Sequence, residues 1–260
     1  MMRALHRVID LPPWVVDDAV SETLFGEVVR EHLREDPGWF GDASRTSVRG
    51  HVLVRTAFAE ERLREAVLRG ARQCVVLGAG YDTFAYRQPS WMRGVRVFEV
   101  DTPQTQARKL ERLGRAGIFA PDNVVYAAID FERTSLAEGL QQAGQDTTAI
   151  TFFSALGVIM YLTNDAVEAI FRYVAAFPPG SEIAFTFSTP DGDPAVAQRV
   201  AAAGEPILTR FGGPELEQML HALGFRIVKC LTSDEANAYL GTRRDSLNTP
   251  RSQGIAAAIV

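Results

Sequence analysis

The stretch CVVLGAGYDT, Cys74 to Thr83, decides the fold. An apolar, β-branched run ends in Gly78-Ala79-Gly80, a glycine pair that lets a buried strand leave its sheet through a tight turn. Working outward, runs of the same kind recur: VRVFEVD from Val95, VVYAAID from Val124, TAITFFSA from Thr148, SEIAFTFS from Ser181, FRIVKCL from Phe225 and GIAAAIV from Gly254. Such short, almost continuous apolar runs mark strands covered on both faces. Helix patterns separate many of them. Thr102 and Pro103 open a helix over 103–113 with Leu110 and Leu113 on one side. Thr163 or Asn164 caps another, with Val167, Ile170, Phe171 and Val174 on its apolar face and Pro178-Pro179-Gly180 as its stop. Pro214 opens a third, which ends at Gly224. The alternation predicts an α/β protein built on a doubly wound parallel sheet of seven strands. No helix-sized pattern separates the sixth run from the seventh, which suits an antiparallel last strand.

Residues 1–70 are helical in pattern and contain no strand. The segment RTSVRGHVLVRTAFAEERLREAVLRG carries Val52, Phe58, Leu63 and Val67 among many charges, and reads as one or two amphipathic helices. Two roles are open for this region: a plain cover for one end of the sheet, or a roof over the cleft at the strand ends. We therefore expect one domain over 1–260, with a helical cap at 1–70 and the sheet at 71–260.

The composition excludes several classes. With 260 residues, 47% hydrophobic and 23% charged, the chain is an ordinary globular polypeptide rather than a disordered or disulfide-stapled one. Its net charge of −5 gives no general attraction to nucleic acid or anionic lipid. The uncharged segment between Asp146 and Asp165 is too rich in Thr, Ser, Gly and Asn for a membrane span and reads as a strand turning into a helix. The two cysteines, Cys74 and Cys230, sit in apolar runs, and no signal-peptide pattern opens the chain. We expect a cytoplasmic protein, with nothing in the sequence to set its oligomeric state.

Chemistry is concentrated at three successive strand ends. Gly78 and Gly80 form a strand-to-helix turn at which backbone can approach a ligand closely. A dinucleotide fingerprint requires a third glycine where this chain has Thr83, which argues against a nicotinamide-dependent oxidoreductase. About 20 residues on, Glu99 and Asp101 stand where an acid accepts both hydroxyls of a ribose. Asp130 and Phe131 close the next strand with an acid and an aromatic, suited to an adenine. Together the three turns describe a nucleoside pocket.

The blocks LGAGYDTFAYR, FEVDTPQTQARKLERL and SALGVIMYLTNDAVEAI resemble the leucine carboxyl methyltransferase-like family of S-adenosylmethionine-dependent methyltransferases, most closely its bacterial small-molecule O-methyltransferase branch. The resemblance runs in order from RALHRVID to LGFRIV. It implies a class I methyltransferase, Rossmann-like sheet, S-adenosyl-L-methionine as cofactor, and methyl transfer to a hydroxyl or carboxyl of a small acceptor, including secondary metabolites such as polyketides. It further implies that Arg55 reaches the methionine carboxylate, that Gly78 and Gly80 pass under the cofactor, that Asp101 holds the ribose, and that Asp130 and Phe131 flank the adenine. One departure stands out. Eukaryotic relatives carry an acid before the residue matched by Gly157, and here that place is Leu156. This keeps open a non-catalytic ligand-binding relative.

A general base is not evident. His51, near Arg55, is the one histidine that can reach the cleft, and Tyr161 is a candidate for orienting the acceptor. No residues stand at metal-ligand spacing, and the Asp191-Gly192-Asp193 loop reads as an ordinary turn.

Overall fold

The structure is a computed structural model, and it describes residues 1–131, 133–192, 197–198, 201–202, 204–241 and 247–260. Asp193 lies outside the described residues. Helices α1 (Met2–Ile9), α2 (Ala19–Glu35) and α3 (Ala43–Leu68) precede β1 (Gln73–Leu77). Then come β2 (Arg96–Asp101), α4 (Pro103–Arg115), β3 (Val124–Ala128), α5 (Leu136–Gln142), β4 (Thr151–Ala155), α6 (Asn164–Ala175) and β5 (Glu182–Ser188). The chain continues through α7 (Gly213–Ala222), β6 (Ile227–Cys230), α8 (Ser233–Ala238) and β7 (Gln253–Ile259). The seven strands form one sheet in the order β3-β2-β1-β4-β5-β7-β6. β1 through β5 pair in parallel, and β7 runs antiparallel to both β5 and β6, as the missing helix pattern before it suggested.

This order reverses direction between β1 and β4, because the chain winds outward to β2 and β3 on one side and to β5 on the other. A switch point of this kind opens a crevice outside the carboxyl ends of the two central strands. Val76 pairs with Ser154 there, and Leu77-Gly78 and Ala155-Leu156 follow them in the chain.

Alternation along the strands sends side chains to two cores. On one face Val75, Leu77, Phe98, Phe153 and Phe185 pack with Leu140 of α5, Phe171 of α6 and Leu220 of α7. On the other, Cys74, Val76, Val97, Phe152 and Ile255 pack with Val54, Phe58, Leu63 and Ala66 of α3. The expected helix after the glycine turn is absent: among the described residues, only the single-turn 3-10 helices Phe84–Tyr86 and Ser90–Met92 lie between β1 and β2. α3 covers the face that such a helix would cover. At 26 residues it is roughly 39 Å long, enough to cross the sheet and still extend beyond the strand ends. Arg62 and Arg69 bind it to the buried carboxylate of Glu182 at the start of β5. It thus serves both roles left open for this region, since its Val52, Arg55 and Thr56 also wall the crevice.

Two local expectations are corrected. Leu110 is 39% exposed, and it is Lys109, 2% exposed, that α4 turns inward. The Lys109 ammonium lies 2.8 Å from Glu99 Oε1, and Tyr86 Oη donates to the other carboxylate oxygen at 3.1 Å. A buried pair satisfied in this way outweighs the apolar pattern. The connection from β6 to β7 does hold a helix, the six-residue α8, started by a capping box between Thr232 and Glu235.

Removing one partner of the pair strands a charge. Lys109→Met should cost about 3 kcal/mol in urea unfolding, and Glu99→Gln with Lys109→Met should recover most of it. Equal losses in the single and double variants would show that the ion pair is not what couples α4 to β2.

Candidate cofactor-binding site

A cavity of about 340 Å³ lies in the crevice, within the size range of small-ligand sites. Its floor is the turn Gly78-Ala79-Gly80. One wall is α3, through Val52, Arg55 and Thr56, and the opposite wall is the end of β4, through Ser154 and Leu156. Met2 and Arg3 of α1 close it from above, and Asp82 stands beside the turn.

The turn depends on its glycines. Gly78 has φ +60°, and a Cβ there would lie 2.5 Å from Val158 Cγ2. Gly80 has φ +43°. Its amide donates to Asp101 Oδ2 at 2.6 Å, while the amide of Thr102 donates to Oδ1 at 2.7 Å. Asp101 therefore bridges the ends of β1 and β2. An ionised carboxylate has about four acceptor positions, so two remain open to donors other than these amides. Glu99, on the same side of the strand, is committed to Lys109 and Tyr86 and plays a structural part.

Arg55 is the clearest ligand-seeking group. Its guanidinium faces the cavity with no hydrogen bond or ion pair among the described residues. Burial, reinforced by the positive charge of Arg3, lowers it to about 10, so it remains a cation at neutral pH. Gly157 makes room for it: a Cβ at this position would lie 2.8 Å from Arg55 Nη1. A partly buried, unpaired cation beside a glycine turn calls for an anion.

The structure places the other expected residues less uniformly. Asp130 and Phe131 lie just beyond β3 at the same edge of the sheet, but Phe131 lines a separate cavity with Leu136, Ile170 and Tyr173. Asp130 lies 3.7 Å from the guanidinium of Arg133. His51 sits one helical turn before Arg55, 1% exposed, and neither ring nitrogen has a hydrogen-bond partner. Burial first, and then the charge of Arg55, lowers its pKa to about 3. Tyr161 stands close enough to Arg55 and Glu205 to sense both charges, and burial raises its phenol above the usual range.

Sequence reasoning missed Arg3, Asp82 and the part played by Gly157. Arg3 Nε donates to Asp18 Oδ2 at 2.8 Å, and its Nη2 donates to the carbonyl of Tyr81 at 2.9 Å. Thr83, the residue that breaks a dinucleotide fingerprint, is fully buried and donates to the same Asp18 oxygen at 2.6 Å. With a buried Thr83 and no α-helix starting at the turn, there is no helix N-terminus here to receive a pyrophosphate.

The strand order, with the last strand antiparallel, the glycine turn closing β1 and the acid closing β2, defines a class I, Rossmann-like methyltransferase fold. Residues 1–175 match the model of the leucine carboxyl methyltransferase family, and the chain belongs to that family. A Bacillus subtilis relative, "Putative S-adenosyl-L-methionine-dependent methyltransferase YktD", is 31% identical over 282 aligned positions, covering 95% of this chain and 90% of that protein. A Streptomyces coelicolor relative of the same description is 34% identical over 62% of this chain and 56% of its own length. Among solved structures, a DUF574-family protein of Streptomyces avermitilis superposes over 99% of this chain and 96% of that chain, with 18% identity and a TM-score of 0.60. Magnesium protoporphyrin IX methyltransferase of Synechocystis, solved with bound SAH, covers 94% of this chain and 99% of that chain, with 12% identity and a TM-score of 0.53. At these identities the two structures speak for the fold alone. The protein is an S-adenosylmethionine-dependent methyltransferase.

The low pKa of His51 sets a pH dependence. As pH falls below 6.5 the unfolded chain takes up a proton that the folded protein refuses until about 3, so stability is lost through that window. The loss between pH 7 and pH 5 is about 2 kcal/mol. Urea melts of His51→Leu should show that much less acid sensitivity and no loss at pH 7. An unchanged acid dependence would place the titrating group elsewhere.

Proposed function

We propose that this chain transfers the methyl group of S-adenosylmethionine to an oxygen of a small organic acceptor, carboxylates being preferred. The observation that carries the cofactor pose is the unpaired Arg55 guanidinium in the cavity whose floor is the glycine turn. In this reading Arg55 holds the methionine carboxylate, the backbone of Gly78 to Gly80 lies under the cofactor, and Asp101 accepts from the ribose. Asp130 and Phe131 flank the adenine where it reaches toward β3. S-Adenosylmethionine supplies a sulfonium methyl open to in-line displacement by an oxygen lone pair.

The protein's own work is then to align, enclose and exclude water. α3 and α1 close over the crevice, and Leu156 presents an apolar wall. A carboxylate acceptor is already ionised, whereas a hydroxyl must lose a proton. His51, neutral and poorly basic at about 3, is unsuited to take it. Tyr161 keeps its proton and can donate a hydrogen bond to an acceptor oxygen. This is what favours carboxylates over phenols. The acceptor in this reading is a metabolite, including a polyketide acid, and a cytoplasmic setting suits the two free cysteines.

Calorimetric titration tests the pose. S-Adenosylhomocysteine should bind at micromolar concentration and NADH not at all. Arg55→Leu and Asp101→Asn should each weaken S-adenosylhomocysteine on the order of 10- to 100-fold, the range of a lost charge-assisted hydrogen bond. Wild-type affinity in both variants would overturn the assignment.

A further inference from the structure

The cavity's charges are arranged for both ends of an amino acid, not for a carboxylate alone. Among the described residues lining it, Asp82 is the one acid, and it shares the space with Arg55. Its Oδ1 accepts from the amide of Phe84 at 2.8 Å, which fixes the carboxylate. Its Oδ2 has only a long contact, 3.6 Å from Arg3 Nη1. Arg3 itself is engaged more closely by Asp18 and the carbonyl of Tyr81. One oxygen of a fixed, partly buried carboxylate that lines the cavity is thus left without a close donor.

That carboxylate is ionised. Burial on its own would raise the Asp82 carboxyl, but Arg3, Lys109, Arg87 and the Phe84 amide outweigh it and hold the group below the usual carboxylate range. The Arg55 cation lines the same cavity, as do the hydroxyl residues Thr56 and Ser154 and the apolar Leu156. A cation and an anion facing one space, each with open hydrogen-bonding capacity, fit a zwitterion.

We infer that Asp82 receives the α-ammonium of the cofactor's methionine end while Arg55 receives its α-carboxylate, so that the two side chains together read the amino-acid zwitterion. This rests on the cofactor pose proposed above and adds to it a residue that discriminates by charge. Arg3, from α1, helps keep Asp82 ionised while Asp18 and the Tyr81 carbonyl hold its guanidinium. Leu156, at the end of β4, adds no charge to the pair.

Three probes separate the terms: S-adenosylhomocysteine, its analogue with carboxylate but no amino group, and 5′-methylthioadenosine, which lacks the whole amino-acid end. Wild type should bind S-adenosylhomocysteine on the order of 10- to 100-fold more tightly than the deaminated analogue. Asp82→Asn should abolish that preference by weakening S-adenosylhomocysteine alone, leaving the other two probes unchanged. Asp82→Ser keeps an acceptor for the Phe84 amide and removes the charge, and should give the same pattern if the asparagine variant folds poorly. Undiminished preference in either variant, or equal loss of all three probes, would overturn the role of Asp82. Failure of wild type to bind any probe would instead overturn the cofactor pose on which it rests.

Discussion

The hydrogen bond from the Gly80 amide to Asp101 is the constraint on which the site depends. It ties the turn after β1 to the end of β2 at the centre of the sheet, with a donor–acceptor distance of 2.6 Å. In most doubly wound proteins a helix beginning at this turn would anchor it. Here no α-helix follows, so side chains hold the backbone: Asp101 on Gly80, Arg3 on the Tyr81 carbonyl, Asp82 on the Phe84 amide, and Asp18 on Thr83. A turn held by carboxylates and a guanidinium is a polar site by construction.

The missing crossover helix has a second consequence. Its face of the sheet must still be covered, and α3 does this with Val54, Phe58, Leu63 and Ala66. Because α3 enters from before β1 and is long, its amino-terminal half extends past the strand ends and carries Arg55 into the crevice. One helix thus both covers the sheet and walls the crevice. α1 and α2 complete the roof with their own small core around Leu5, Phe25 and Val29, to which Leu113 of α4 contributes.

Much of this was legible in the sequence, for physical reasons that vary from residue to residue. The strands were readable because those buried on both faces are mostly apolar along their length; β1, β4 and β5 are buried at every position. Gly78 and Gly80 were readable because only glycine suits their positive φ at a strand end. Arg55 was not: an arginine on a charged helix looks like a solvated face, and only the family resemblance singled it out. Asp82 escaped notice because an aspartate in a turn reads as a turn former. Lys109 was hidden by the rule that lysine faces water, which fails when a buried acid such as Glu99 waits on the preceding strand. The short α5 and α8 offer too few turns for a periodic signal. Sequence order and geometry diverge most at the end of β3, where Phe131 lines a cavity of its own.

The most direct test of the central claim is a crystal structure of the protein with S-adenosylhomocysteine bound. The account predicts the ligand over the Gly78–Gly80 turn, its carboxylate on Arg55 and its ribose hydroxyls on Asp101. A ligand bound outside this crevice, or lying in it with Arg55 still unpaired, would contradict it.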